Sequence, residues 1–164
     1  FLRSLPVPEL KKITSTPMVL EDMAGDNFDL SSKMEIHAGP ARLQITSDTL
    51  REFSVTLSNA IGEKIVIGFD ESENSYYIDR TAAGNVSFAD GFGARHTAPR
   101  LSQAKQMELD IIIDDASVEI FGDKGLSVMT SIFFIDHPFK NIEINSKAFK
   151  IKSLSYSPLS SIWK

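Results

Sequence analysis

Cysteine is absent from this 164-residue chain, which excludes a disulfide scaffold, a thiolate zinc site and a cysteine nucleophile. Histidine is scarce: His37, His96 and His137 stand far apart, and no two of them share a metal-ligand spacing, so no metal site is expected. Long apolar runs are missing as well. The longest, around Ile132 to Ile135, is the length of a strand and falls far short of the roughly 18 residues that a membrane-crossing helix needs. There is no excess of basic charge either. With 17 Lys and Arg against 22 Asp and Glu the net charge is -5, which favours neither a nucleic-acid partner nor an anionic membrane. The opening residues Phe1 to Pro8 carry neither an initiator methionine nor a basic-then-apolar leader. The chain therefore reads as a piece of a longer protein, whose signal peptide would lie outside it.

What remains is a globular composition, 42% hydrophobic and 24% charged. Pro6, Pro8 and Pro17 make residues 1–17 an extended connector, with Glu9 to Ile13 forming at most one helical turn. From residue 18 to 164 the pattern is that of one domain with period-two alternation. Met34, Ile36 and Ala38 alternate with Glu35 and His37, and Phe53, Val55 and Leu57 alternate with Ser54 and Thr56. Ile65, Ile67 and Phe69 share a face, Tyr76 to Ile78 form a short run, and Met107, Leu109, Ile111 and Ile113 alternate with Glu108 and Asp110. Residues 117–134 read as a hairpin about the turn Gly122-Asp123-Lys124-Gly125. Ile142 with Ile144, and Phe149 and Ile151 with Leu154, supply two more strands. About nine or ten short strands, with turn signals at intervals of roughly 8 to 12 residues and no long helix, predict an all-β, antiparallel, two-sheet β-sandwich of the concanavalin or jelly-roll kind.

The longest expected irregular piece is Thr81 to Ser102, with Gly84, Gly91, Gly93 and the polar trio Arg95, His96 and Arg100. Loops of that length are uncommon and tend to be functional or to dock on a neighbouring surface, and docking is the expectation here. Nothing in the sequence marks a nucleophile. There is no Gly-x-Ser-x-Gly elbow and no Ser-x-x-Lys context, and Gly91-Phe92-Gly93 does not lead from a strand into a helix as a phosphate loop must. Asp114, Asp115 and Glu119 cluster, but alternation puts them on the polar faces of their strands, as solvated or salt-bridged carboxylates. Aromatic usage is lopsided, with 11 Phe against 3 Tyr and 1 Trp. Phe has no polar handle and suits core packing, so the sugar-platform candidates reduce to Tyr76, Tyr77, Tyr156 and Trp163. Adjacent Tyr76 and Tyr77 point to opposite faces, so at most one of them enters the inter-sheet core.

Ser75-Tyr76-Tyr77-Ile78-Asp79-Arg80-Thr81, followed by Phe88 and by Arg95-His96-Thr97-Ala98-Pro99-Arg100, resembles the C-terminal β-sandwich of glycoside hydrolase family 32, the levanases, inulinases and invertases. The run Leu109 to Phe121, with Ser117-Val118-Glu119, and the stretch Met129 to Phe133 resemble the family's following strand pair, and Leu159 to Trp163 resembles its C-terminus. Leu5 to Leu10 resembles the connector that leaves its catalytic domain. Asp115 departs from the pattern, standing where the family commonly carries a basic residue.

The resemblance implies a retaining β-fructosidase parent whose catalytic carboxylates lie in an N-terminal five-bladed propeller. Its motifs have no counterpart here, so neither catalysis nor a cofactor is expected of this piece. It implies a secreted or periplasmic location, and packing of the sandwich against the propeller, with homodimer contacts or a fructan oligosaccharide as further partners. Two functions therefore stand: an accessory sandwich that stabilises the propeller, and a carbohydrate-binding module for levan or inulin. Without its propeller the domain is expected to expose an apolar patch, or to dimerise through it. Asp79, Arg80, Arg95, His96, Arg100, Asp114, Ser117 and Glu119 are the candidates for a network that fixes the long loop, with Glu119 facing Arg80, Arg95 or Arg100. Glu119 is then expected to matter more for stability than Glu63 or Glu73, both read as loop residues.

Overall fold

The computed structural model describes residues 2–148 and 150–160. After a short 3-10 turn at Pro8–Lys12 the chain forms β1 (Met18–Ala24), β2 (Asn27–Asp29), β3 (Ala41–Ser47), β4 (Phe53–Ser58), β5 (Lys64–Asp70) and β6 (Ser75–Ala82). It continues through β7 (Arg95–Pro99), β8 (Met107–Ile113), β9 (Ser117–Gly122), β10 (Ser127–Ile132), β11 (Asn141–Ser146) and β12 (Lys150–Pro158). Two six-stranded sheets result, ordered β1-β12-β3-β8-β9-β10 and β2-β11-β4-β5-β6-β7. All ten strand pairings are antiparallel. The chain is the two-sheet sandwich its sequence predicts.

The core follows from the alternation. In β8, Met107, Leu109, Ile111 and Ile113 point inward while Glu108, Asp110 and Ile112 stay partly exposed. Leu43 and Ile45 of β3, Phe53, Val55 and Leu57 of β4, and Ile65, Ile67 and Phe69 of β5 share the same inter-sheet space and are almost wholly buried. Each such side chain stabilises the fold by about 1.5 to 3 kcal/mol relative to exposure.

The strands number twelve rather than nine or ten, and one expected strand is absent. Met34 to Ala38 forms no ladder. The chain there leaves the 3-10 turn Leu30–Ser32, whose N-cap Asp29 accepts from Ser31 N at 2.9 Å. Met34 and Ile36 still pack against the core, which explains the alternation without a strand. Four strands lay outside the expectation: β1, β2, β3 and β7. In β1 the inward residues are Met18, Leu20 and Met23, and the period slips at Asp22, whose φ is +50°. β7 occupies part of the segment expected to be irregular. As an edge strand it is exposed on most positions, so it carries no inward stripe. The irregular piece shrinks to residues 83–94.

Candidate functional site

β6 places its two tyrosines on opposite faces, as a strand must. Tyr76 is wholly buried. Its ring packs on Gly122, where an added Cβ would lie 2.5 Å from Tyr76 Cε2, and stands edge-on to Phe69 at 5.6 Å. Its hydroxyl donates to Asp123 Oδ2 at 2.9 Å. Arg100 Nη2 donates to Asp123 Oδ1 at 3.0 Å, while Nε sits 2.7 Å from Oδ2 without hydrogen-bond alignment. Both charged side chains are nearly sealed from solvent, with exposures of 2% and 6%. Arg100 also donates from Nη1 to the Ser102 carbonyl and from Nη2 to the Gln106 carbonyl, so it anchors the β7–β8 connection to the β9–β10 turn. Burial first, and then the Asp123 carboxylate, push the Tyr76 hydroxyl far above the ordinary tyrosine range.

Tyr156 is likewise buried, with its hydroxyl exchanging hydrogen bonds with the His37 backbone at 3.2 and 3.4 Å. Neither Tyr76 nor Tyr156 offers a ring face to a sugar, so both leave the set of platforms, and Trp163 lies outside the described residues. Tyr77 remains. Its ring lies on the outer surface of the second sheet over Gly68, where a Cβ would come within 2.5 Å of Tyr77 Cζ, and the Arg95 guanidinium stacks 3.8 Å from the ring centroid. Arg95 in turn pairs with Asp70 at 3.1 Å. Beside this stack runs a shallow groove of about 280 Å³ lined by Asp26, Glu52, Ser54, Tyr77, Asn145 and Lys147. Among the described residues, the side chains of Glu52, Ser54, Asn145 and Tyr77 form no hydrogen bond with the rest of the protein.

The expected loop-fixing network is built differently. Arg80 does hold the loop, but through carbonyls: Nε donates to Phe92 O at 2.6 Å and Nη1 to Ile132 O at 3.0 Å, with the guanidinium stacked 3.8 Å from the Phe92 centroid. Asp79 caps its own turn, accepting from Thr81 N and Oγ1. Glu119 meets none of Arg80, Arg95 or Arg100, because it points off the outer surface of the first sheet, across from Ile112 and Thr130. Asp114 and Ser117 close the β8–β9 hairpin by the Asp114 N to Ser117 O bond, and His96 is an exposed edge residue opposite Ile78. Among the described residues Asp115 makes only the bond from its N–H to Asp114 Oδ1. Among the described residues no group of three His, Asp or Glu is disposed to hold a metal.

Sequence reasoning missed two features. Asp123 sat in a turn, and nothing in a turn aspartate announces burial between sheets. Phenylalanine also departs from its expected role. Phe53, Phe69 and Phe133 are core, but Phe88 and Phe134 are 55% and 46% exposed. With Phe92 they form a cluster, with centroids at 4.6, 5.4 and 5.6 Å, at the loop that Arg80 fixes.

Residues 7–158 match the model of the glycosyl hydrolases family 32 C-terminal domain. The chain belongs to that family. It is 26% identical over 99% of its length to a levanase of Bacillus sp. strain L7, and 36% identical over 83% of its length to a sucrose-6-phosphate hydrolase of Vibrio alginolyticus. It spans only 18% and 25% of those two proteins. The exo-inulinase of Aspergillus awamori superposes with a TM-score of 0.78 at 18% identity, over 94% of this chain and 31% of that one. The likeness shows the same fold. As a family 32 C-terminal domain the chain thus corresponds to a minor part of relatives named levanase and sucrose-6-phosphate hydrolase.

Proposed function

We propose that this domain is the non-catalytic accessory sandwich of a β-fructosidase, packed against an N-terminal catalytic five-bladed propeller and stabilising it. The observation that carries this reading is the coverage: the chain accounts for the family's C-terminal domain and for 18 to 25% of its curated relatives. Residues 1–17 then act as the connector between the two domains. An extracellular or periplasmic location goes with the reading, supported by a relative named an extracellular exo-inulinase. The test is removal of residues 18–164 from the full-length protein. The catalytic domain left behind is expected to melt at a lower temperature and to lose activity on a β-fructoside. Unchanged melting would overturn the proposal.

A second reading, a carbohydrate-binding module for levan or inulin, draws its support from the Tyr77 groove. Free hydroxyl, amide and carboxylate groups beside an aromatic ring are what sugar recognition uses. NMR titration with short levan- and inulin-type oligosaccharides separates the two, since binding there would shift Glu52, Ser54, Tyr77 and Asn145 together.

A further inference from the structure

The aromatic cluster belongs to a longer apolar stripe. Val128 and Ile132 project from the outer surface of β10, the edge strand of the first sheet, at 38% and 48% exposure, and Phe134 continues the line on the same side. Phe88 and Phe92 extend it across the 83–94 loop. An exposed aliphatic residue alone needs no explanation, but three clustered phenylalanines in line with two exposed aliphatic residues that flank Thr130 along one open edge do.

The stripe is held rigid. Arg80 bonds the carbonyls of Phe92 and Ile132, one on the loop and one on the strand end. Gly84 forms a bridge with Phe134, and Asn85 N donates to Phe134 O at 2.9 Å. Gly84, at φ +77°, leaves no room for a Cβ against the Phe134 carbonyl, so glycine is what lets the loop lie down on this edge. Val86 closes the loop from beneath, with Gly93 against it. Fixing side chains in advance lowers the entropic cost of covering them.

The entry point of the chain says what covers the stripe. Ser4 N donates to Gly125 O at 3.1 Å, in the turn that opens β10 and three residues before Val128. The chain thus arrives at the end of the sandwich where the stripe begins. The family's C-terminal domain takes up at most a quarter of the curated relatives named above, so most of such a protein lies ahead of residue 1 and is tethered at this corner. A domain so tethered reaches the adjoining edge at high effective concentration.

The geometry points to the edge formed by β10 and the 83–94 loop, with Val128, Ile132, Phe134, Phe88 and Phe92, as the face that docks the preceding catalytic domain. This rests on the accessory-domain reading and names its contact surface. The partner surface is apolar, to match the stripe, while Arg80 beside it turns Nε and Nη1 to the carbonyls of Phe92 and Ile132.

The test places a photo-reactive benzophenone amino acid in the full-length chain at position 88 or 134, and as controls at position 19 on the opposite edge of the first sheet and position 143 on the outer surface of the second. Cross-links from 88 and 134 into the preceding domain, with none from 19 or 143, are expected. Cross-links only from the control positions would overturn the assignment of the face while leaving the accessory packing intact. Cross-links from 88 to a second copy of the chain would replace it with a dimer interface. No cross-link into the preceding domain from any position would overturn both. The double variant Phe88→Ser and Phe134→Ser is expected to convert a single cooperative melting transition of the full-length protein into two. Both side chains are solvent-facing in the sandwich, so loss of its own fold would show as a lowered transition of the sandwich alone and would count against the assignment.

Discussion

The Tyr76 hydroxyl bonds the Asp123 carboxylate across 47 residues of sequence, and in doing so ties a strand of the second sheet to a turn of the first. Arg100 completes the joint from β7's exit. Because both charges are sealed from water, the joint is sensitive to losing one member and tolerant of losing all of its charge together.

Asp123→Ala is therefore expected to cost about 3 to 5 kcal/mol in urea unfolding, since it strands the Arg100 guanidinium. Asp123→Asn keeps an acceptor and tolerates the positive φ of 51°, so it should cost distinctly less. Equal losses in the two variants would mean that the carboxylate's charge alone, and not the acceptor that Asn retains, holds the joint.

Glu63, and not Glu119, is the loop-fixing carboxylate. It accepts from Asp136 N at 3.0 Å and from His137 N at 3.4 Å, with Asn59 Nδ2 at 2.6 Å, whereas Glu119 has no ion pair among the described residues. Glu63→Ala should lower the melting temperature more than Glu119→Ala, reversing the expectation from sequence. Desolvation pushes the Glu63 carboxyl up, but the bonds from Asp136, Asn59 and His137 outweigh it and leave the group below the ordinary range. The folded form is lower than the unfolded one, so its contribution is present above the unfolded value near 4.5 and is lost as pH falls through the folded one. Glu63→Gln should flatten that acid-side loss, which thermal melts through the acid range will report.

At the alkaline end the sign is opposite. Burial holds the hydroxyls of Tyr76, Tyr77 and Tyr156 above their unfolded value of 10.0. Their contribution is complete below that value and disappears as pH rises through the folded values. Tyrosinate absorbance is expected to rise in step with unfolding, and a free titration of all three in the folded protein would contradict their placement.

Gly68→Ala puts a methyl group where Tyr77 Cζ and the Phe53 carbonyl already lie. A cost of about 1 to 3 kcal/mol is expected, with displaced Tyr77 ring resonances. Unchanged resonances would show that the ring does not rest on that glycine.

The architecture was legible wherever burial is one-sided. β8 alternates without a break and its inward residues are those buried. β1 was illegible because the period slips at Asp22, and β7 because an edge strand has no inward stripe to read. Among the site residues, the opposed directions of Tyr76 and Tyr77 follow from strand geometry alone. The partner of Arg100 did not follow, since Asp123 and Glu119 are equally plausible acids until the turn places one of them between the sheets. The exposed phenylalanines were hidden for a related reason: composition counts a ring as apolar and is silent on which side of a sheet it lands.

The first and last strands of the sandwich are hydrogen-bonded neighbours, with Met18 opposite Tyr156 and a bridge from Thr14 to Leu159. The two ends of the sandwich, at Thr14 and Leu159, therefore lie side by side. A short linker across β1 and β12, with new ends opened in a solvent-facing loop, would leave every ladder in place. Such a unit is expected to be portable: a circular permutant opened in an exposed loop should still close upon itself.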